Sequence, residues 1–247
     1  MYERGIQPVL LRITALLLLG IAVPSFAQDI LAKSVNGSIG ATGDYVFRGL
    51  SQTDGRPALQ ADIHYASPLG WSVGLWGSTV DRNSWDGRTV ELDVYLGYRW
   101  TISQDWTAKI AAVDYRYPWN KPIIRYDYDE LIGTLGFRNK LFFTMAWTPN
   151  TSRYSTRGYV TGKEAISYEG AATLPVVGAL VANLGIGYYD LQSVIDTGYL
   201  YWNAGVGYDW RAWHVDLGYF GTGSNAKTLF LGNVADNRWA AGISWRF

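Results

Sequence analysis

The chain has 247 residues, no formal net charge, no cysteine and 17% charged residues. Neutrality leaves no electrostatic footprint for nucleic acid, and the lack of cysteine removes disulfide frameworks, cysteine-ligated zinc and thiol nucleophiles together. The 12 Trp, 18 Tyr and 28 Gly exceed what an ordinary soluble domain carries. That bias suits a β-barrel in lipid, where Trp and Tyr settle at the headgroup boundary and Gly relieves crowded walls.

In chain order, Arg4 and Arg12 precede an apolar run over 13–23, followed by Pro24-Ser25-Phe26-Ala27. This is the order of a secretory signal peptide, with an apolar core about half the roughly 20 residues of a spanning helix and small residues at Ser25 and Ala27. Cleavage after Ala27 is expected. Residues 28–247 then form one domain delivered to the periplasm, an oxidising compartment that a cysteine-free chain suits.

Period-two alternation dominates the remainder. At the C-terminus Trp239, Ala241, Ile243, Trp245 and Phe247 alternate with Arg238, Ala240, Gly242, Ser244 and Arg246. Successive strand residues point to opposite faces, so the first set meets lipid and the second a watery interior. Val90, Leu92, Val94, Leu96, Tyr98 and Trp100 alternate in the same way with Glu91, Asp93, Tyr95, Gly97 and Arg99. The pattern predicts strands over 36–47, 56–67, 70–80, 88–100, 105–117, 126–138, 140–148, 163–174, 178–189, 198–210, 212–221 and 237–247. Most are about ten residues, the length of a tilted transmembrane strand. Their connections alternate between short (at Pro68-Leu69, 101–104, Asn139, 175–177 and Arg211) and longer (including 48–55, 118–125, 149–157 and 222–236). Short periplasmic turns alternating with longer outer loops mark an outer-membrane barrel. The expected fold is therefore all-β: a transmembrane, antiparallel, up-and-down β-barrel of about twelve strands with both termini on the periplasmic side.

The stretch 36–53, with its core Tyr45-Val46-Phe47-Arg48-Gly49-Leu50-Ser51-Gln52-Thr53, followed by Pro57-Ala58-Leu59-Gln60, resembles the opening of the TorF family of porins. The pairs Gly97-Tyr98, Gly187-Tyr188 and Gly207-Tyr208 and the aromatic end Phe247 are consistent with it, though such features belong to outer-membrane barrels generally. The resemblance implies an outer-membrane channel and carries no substrate or catalytic residue. Phe247 resembles the terminal aromatic signal read by the barrel-assembly machinery.

Charge on the lipid face at mid-bilayer costs about 2–4 kcal/mol for Arg or Lys, so charges at alternating positions face the lumen. The expected lumen set is Asp62, Glu91, Asp93, Glu169, Asp209 and Asp216 with Arg99, Lys109, Arg238 and Arg246, the two histidines His64 and His214, and Arg48 near the mouth as a selectivity determinant. Acids outnumber bases, which gives a weak cation preference as a hypothesis. Opposite charges pairing across a narrow interior would instead plug it.

Other chemistry is thinner. Barrel lipases use His-x-Ser on one strand face, whereas the triplets here are His64-Tyr65-Ala66 and His214-Val215-Asp216; His214 and Asp216 share a face, leaving open a serine from a neighbouring strand. The segment 221–228 approximates a phosphate-binding loop but has Ala226 at the second glycine position, and reads better as an outer loop. Asp127, Asp129 and Glu130 cluster beside an outer loop, where a solvated rim is favoured over calcium or cation-bridged lipopolysaccharide. No catalytic residue, metal site or cofactor is expected. The sequence reads as a porin-like channel passing small hydrophilic solutes by diffusion, with lipopolysaccharide, periplasmic chaperones and the assembly machinery as partners. A closed barrel acting as a structural or adhesive surface protein is the alternative, and a lipid-modifying enzyme the second.

Overall fold

A computed structural model describes residues 34–80, 89–118, 126–155 and 158–247. The expected signal segment and its cleavage point at Ala27 lie outside the described residues. In chain order the elements are β1 (Ser34–Thr42), β2 (Val46–Phe47), β3 (Leu50–Ser51), β4 (Ala58–Ala66), β5 (Trp71–Thr79), β6 (Val90–Thr101), β7 (Trp106–Arg116), β8 (Tyr128–Phe137), β9 (Leu141–Ser155), β10 (Gly158–Val177), β11 (Leu180–Leu191), α1 (Gln192–Ile195), β12 (Thr197–Trp210), β13 (Trp213–Thr222), α2 (Ser224–Leu229) and β14 (Arg238–Arg246). All but β2 and β3 close into one antiparallel barrel of twelve strands. The seam is β1, which pairs with β14 through Ser38 opposite Arg246 and with β4 through Ser38 opposite Asp62. Closure leaves no unpaired edge, the condition for strands to lie in a low-dielectric medium.

Both ends of the described chain lie at one rim, the terminal rim, with the short turns 67–70, 102–105, 138–140, 178–179 and 211–212; the longer connections lie at the opposite, loop rim. Beyond shifts of one or two residues at strand ends, three boundaries differ from the alternation pattern. The first strand leaves the wall after Thr42, and 46–51 form a separate hairpin. Residues 149–155, expected as loop, continue β9, with Tyr154 opposite Tyr159 and Thr151 opposite Lys163 on β10. The strand β10 also runs through Pro175 to Val177, so the turn is at 178–179. The β9–β10 extension evades hydrophobic periodicity because it is polar on both faces. At 20 residues, β10 spans about 66 Å, roughly twice a hydrocarbon core, so its far half needs no lipid-facing stripe.

The barrel is apolar outside. Leu75, Leu96, Leu217, Ile243 and Trp239 are 55%, 51%, 44%, 47% and 66% exposed, and their inward neighbours are polar, aromatic or small, as hydrocarbon outside and a hydrated or filled lumen inside require. Glycines let aromatic rings lie flat on the wall. A Cβ at Gly37 would sit 2.6 Å from the Phe247 ring, while Gly37 and Phe247 exchange backbone hydrogen bonds of 2.9 and 3.0 Å. The last residue thus covers the seam. Inside, a Cβ at Gly74 would lie 2.4 Å from the Tyr95 ring and 2.6 Å from His64 Cβ.

Overpacking of this kind costs about 1–3 kcal/mol. Gly74→Val is therefore expected to lower the fraction of refolded protein that keeps the compact mobility of an unboiled barrel on a detergent gel. Gly133→Val, where an added Cβ meets nothing within 4 Å, is expected to leave that fraction unchanged. Equal losses in both would sink the assignment of Gly74 as a packing joint.

Candidate functional site

The connection from β1 to β4 turns into the lumen. Residues 44–53 are all buried, and β2 and β3 pair Val46 with Ser51 and Phe47 with Leu50 around the turn Arg48-Gly49. Both turn residues have positive φ, 47° and 77°, as a two-residue hairpin turn of the inverse type requires. Asn-Gly is the usual pair there; Arg in the left-handed region costs about 1–2 kcal/mol, so Arg48 is placed for its side chain. The hairpin base is fixed by Asp44, whose carboxylate accepts from Ser51 Oγ at 2.5 Å, Thr53 Oγ1 at 2.7 Å and Arg238 Nη1 at 2.7 Å.

At the tip, Arg48 is 2% exposed and donates from Nη1 and Nη2 to the two oxygens of Glu130 on β8, at 2.7 and 3.0 Å. Its Nε lies 3.7 Å from Glu169 Oε1 on β10. The guanidinium sits 4.7 Å from the Phe47 ring centroid and 4.6 Å from that of Tyr189 on β11. Hydroxyls complete the carboxylates: Thr148 and Tyr115 donate to Glu130 at 2.8 and 3.2 Å, and Tyr201 donates to Glu169 at 2.5 Å. Nearby on β6, Glu91 accepts from Tyr45 Oη at 3.2 Å. The carboxylate oxygens of Asp93, 1% exposed, accept no hydrogen bond. Leu50 packs into an apolar cluster with Tyr189, Tyr199 and Tyr201 from the wall and with Ile195 of α1 and Leu229 of α2, so the loop-rim connections cover the hairpin.

The terminal half of the lumen carries other charges. Asp62 bonds His64 Nδ1 at 2.6 Å and accepts from Tyr95 Oη at 2.7 Å. Asp209 bonds His214 Nδ1 at 2.8 Å and accepts from Arg246 at 2.9 Å, while His214 Nε2 lies 3.8 Å from Asp216. Arg99 and Lys109 stand opposite one another on β6 and β7.

The residues expected in the lumen from alternation therefore all lie on inner strand faces or, for Arg48, on the inserted hairpin. Arg48 stands inside the barrel, against Glu130 of β8 and Glu169 of β10 and beneath the loop-rim connections. Glu130, grouped by sequence proximity with Asp127 and Asp129, is separated from them by strand alternation. It faces in, while Asp127 and Asp129 lie 3.7 and 4.0 Å from Arg116 on the exposed side, where Asp114 also pairs with Arg116 at 2.5 Å. The sequence signal for the hairpin was Arg48-Gly49 between Val46-Phe47 and Leu50.

Among the described residues no group of three potential ligands could hold a metal. Ser244 stands opposite His214, but its Oγ makes no hydrogen bond, and both point into the lumen, away from the acyl chains a lipid-modifying enzyme must reach. The segment 221–228 completes β13, antiparallel to both neighbours, and forms the six-residue helix α2 rather than a strand, loop and helix around phosphate.

Solved structures share the architecture. The NanC porin superposes with a TM-score of 0.56 at 10% identity, covering 86% of this chain and 99% of that one. The KdgM porin gives 0.53 at 9% identity, covering 86% and 99%, and the KdgM porin in complex with disordered oligogalacturonate gives 0.53 at 9%, covering 86% and 98%. At such identities the likeness is one of fold. No curated protein matches the sequence. A family model matches residues 31–244, nearly the whole described barrel, and the chain belongs to that family, described as bacterial protein of unknown function, Gcw_chp.

Proposed function

We propose that this protein is an outer-membrane, porin-like channel that passes small hydrophilic solutes by passive diffusion and is closed in the conformation described by its β2–β3 hairpin. One observation carries the reading: the lumen is entered by a buried hairpin of the chain's own first loop, attached to the wall through polar side chains. A purely structural barrel gains nothing from burying an Arg–Glu pair, since breaking even with an apolar filling is the usual outcome for such pairs. A moving element, by contrast, needs attachments that water can replace. The apolar exterior and the porin architecture of KdgM and NanC support the setting, as does the resemblance of Tyr45 to Thr53 to the TorF porins, because those residues are the hairpin.

In this reading the terminal rim faces the periplasm and the loop rim faces outward. The exposed ionic cluster of Arg116 with Asp114, Asp127 and Asp129 then lies at lipopolysaccharide headgroup height, and Phe247 is offered to the assembly machinery. The oligogalacturonate of the KdgM complex is an oligomer of a uronic acid and so anionic. The fully buried charges here are mostly acidic, so that solute is not carried over. The tight burial of 44–53 favours, as a second reading, a permanently closed barrel serving at the surface.

Removing one partner of a buried ion pair costs about 3–5 kcal/mol, more than a hundredfold in a two-state ratio. Arg48→Ala is thus expected to raise open probability in planar bilayers by about a hundredfold over wild type. Silence from Arg48→Ala protein shown to be folded would transfer the weight to the closed surface barrel. Replacing 44–54 by a short Gly-Ser linker should leave the barrel able to fold, because the register of β1 with β4 runs only from Thr42 opposite Ala58. It should also give steps larger than those of the point variant. If its steps match those of Arg48→Ala, the hairpin does not set the bore.

A further inference from the structure

On the channel reading, the charges that line the lumen select which solute it takes. Among the described residues, the buried acids are Asp44, Glu91, Asp93, Glu130 and Glu169, against two buried basic groups, the Arg48 guanidinium and the Lys109 ammonium. Asp44 is matched by Arg238. Glu130 and Glu169 face Arg48, and it does not use them up. Its Nε makes no hydrogen bond, Glu169 Oε2 receives none, and neither oxygen of Asp93 receives any. The wall therefore offers more acceptor capacity than the hairpin fills, in a region where an unmatched carboxylate is costly.

Apart from the Phe47 ring, which moves with the hairpin, the other components around Arg48 belong to the wall. Glu130, Glu169, the hydroxyls of Tyr115, Thr148 and Tyr201 and the ring of Tyr189 lie on β7 to β12 and stay behind when the hairpin leaves. Paired carboxylates oriented by neutral hydroxyl donors, with an aromatic face on one side, form a receptor for a planar or compact N–H-bearing cation. We propose that the lumen holds a cation site for guanidinium or primary ammonium groups, that Arg48 occupies it as a tethered stand-in when the channel is closed, and that a cationic solute takes its place when the hairpin withdraws. The solute class is then small amines and guanidines. Competition with Arg48 couples solute arrival to opening, since a ligand shifts an equilibrium only toward the state that binds it.

The test uses the refolded mature chain in planar bilayers, with potassium chloride on one side and guanidinium or tetramethylammonium chloride on the other, for wild type, Arg48→Ala and Arg48→Ala with Glu169→Gln. Tetramethylammonium carries charge but no N–H donor. Reversal potentials are expected to show cation over anion selectivity. A charge-assisted hydrogen bond is worth about tenfold or more, so guanidinium should be favoured over tetramethylammonium by about that factor, with the preference falling toward unity when Glu169 is neutralised. Anion selectivity, or a ratio indifferent to Glu169→Gln, overturns the cation site while leaving the channel standing. Absence of current from every folded variant removes the channel reading instead. The site is then decided by titrating guanidinium chloride at millimolar concentration into Arg48→Ala protein and following Trp emission. Trp76 packs 5.5 Å from Tyr45, at the hairpin base. A saturable change lost with Glu169→Gln supports the site, and a flat titration overturns it.

Discussion

Twelve strands enclose more space than their own inward side chains fill, since the lumen grows with strand number and eight strands are already just filled. An apolar void of that width is costly and a water-filled one is a hole in the membrane, so something must occupy it or pass through it. Here the first loop occupies it. The consequences follow in order: the β1 strand ends early, the loop needs a tight turn of positive φ, and the wall must offer partners to whatever stands at the turn. Tyrosines from β6 to β12 suit that role because each brings a large apolar body and a hydroxyl that can reach a carboxylate.

The buried Arg48–Glu130 pair is costly relative to an apolar plug. Two desolvated charges are repaid only when geometry is good and remaining lone pairs are satisfied. The geometry is good, bidentate and braced by Thr148 and Tyr115, but the satisfaction is incomplete at Glu169 and Asp93. A sequence selected only to seal the barrel would place leucine or phenylalanine at the tip, as Phe47 and Leu50 beside it already do. Burying a cation among excess acids makes sense where the contact must form and break.

Strand count, closure, the lipid-facing set and the lumen set were readable from the sequence because two solvents impose period two, and each of those properties depends on alternation alone. What alternation does not carry was hidden. Glu130 looked like a rim residue because neighbours in sequence, Asp129 and Glu130, point to opposite sides of a wall. The β9–β10 extension was invisible because outside hydrocarbon neither face needs to be apolar. The insertion of the hairpin was invisible for a different reason. Residues 44–53 are as mixed as a surface loop, and burial of such a segment depends on partners 82 residues away in the case of Glu130. The turn signal Arg48-Gly49 was present, but a hairpin signal says nothing about the direction in which the hairpin points.

The two ends of the hairpin are held by unlike contacts, and in the proposed channel this decides which end would move. At the base, Asp44 is matched one to one by Arg238 and also receives two hydroxyls, and the backbone N–H of Ser51 donates to Val234 at 2.8 Å. Breaking the base exposes a balanced, fully bonded node. At the tip one cation stands among several acids, its Nε unbonded, and Arg48 sits in an unfavourable backbone conformation. Release of the tip relieves that strain and lets water or a solute cation reach carboxylates that are under-satisfied while buried. In the proposed channel, this asymmetry makes Asp44 the hinge and Arg48 the latch, so that opening would swing the tip away from β8 and β10 while the seam between β1, β4 and β14 stays closed.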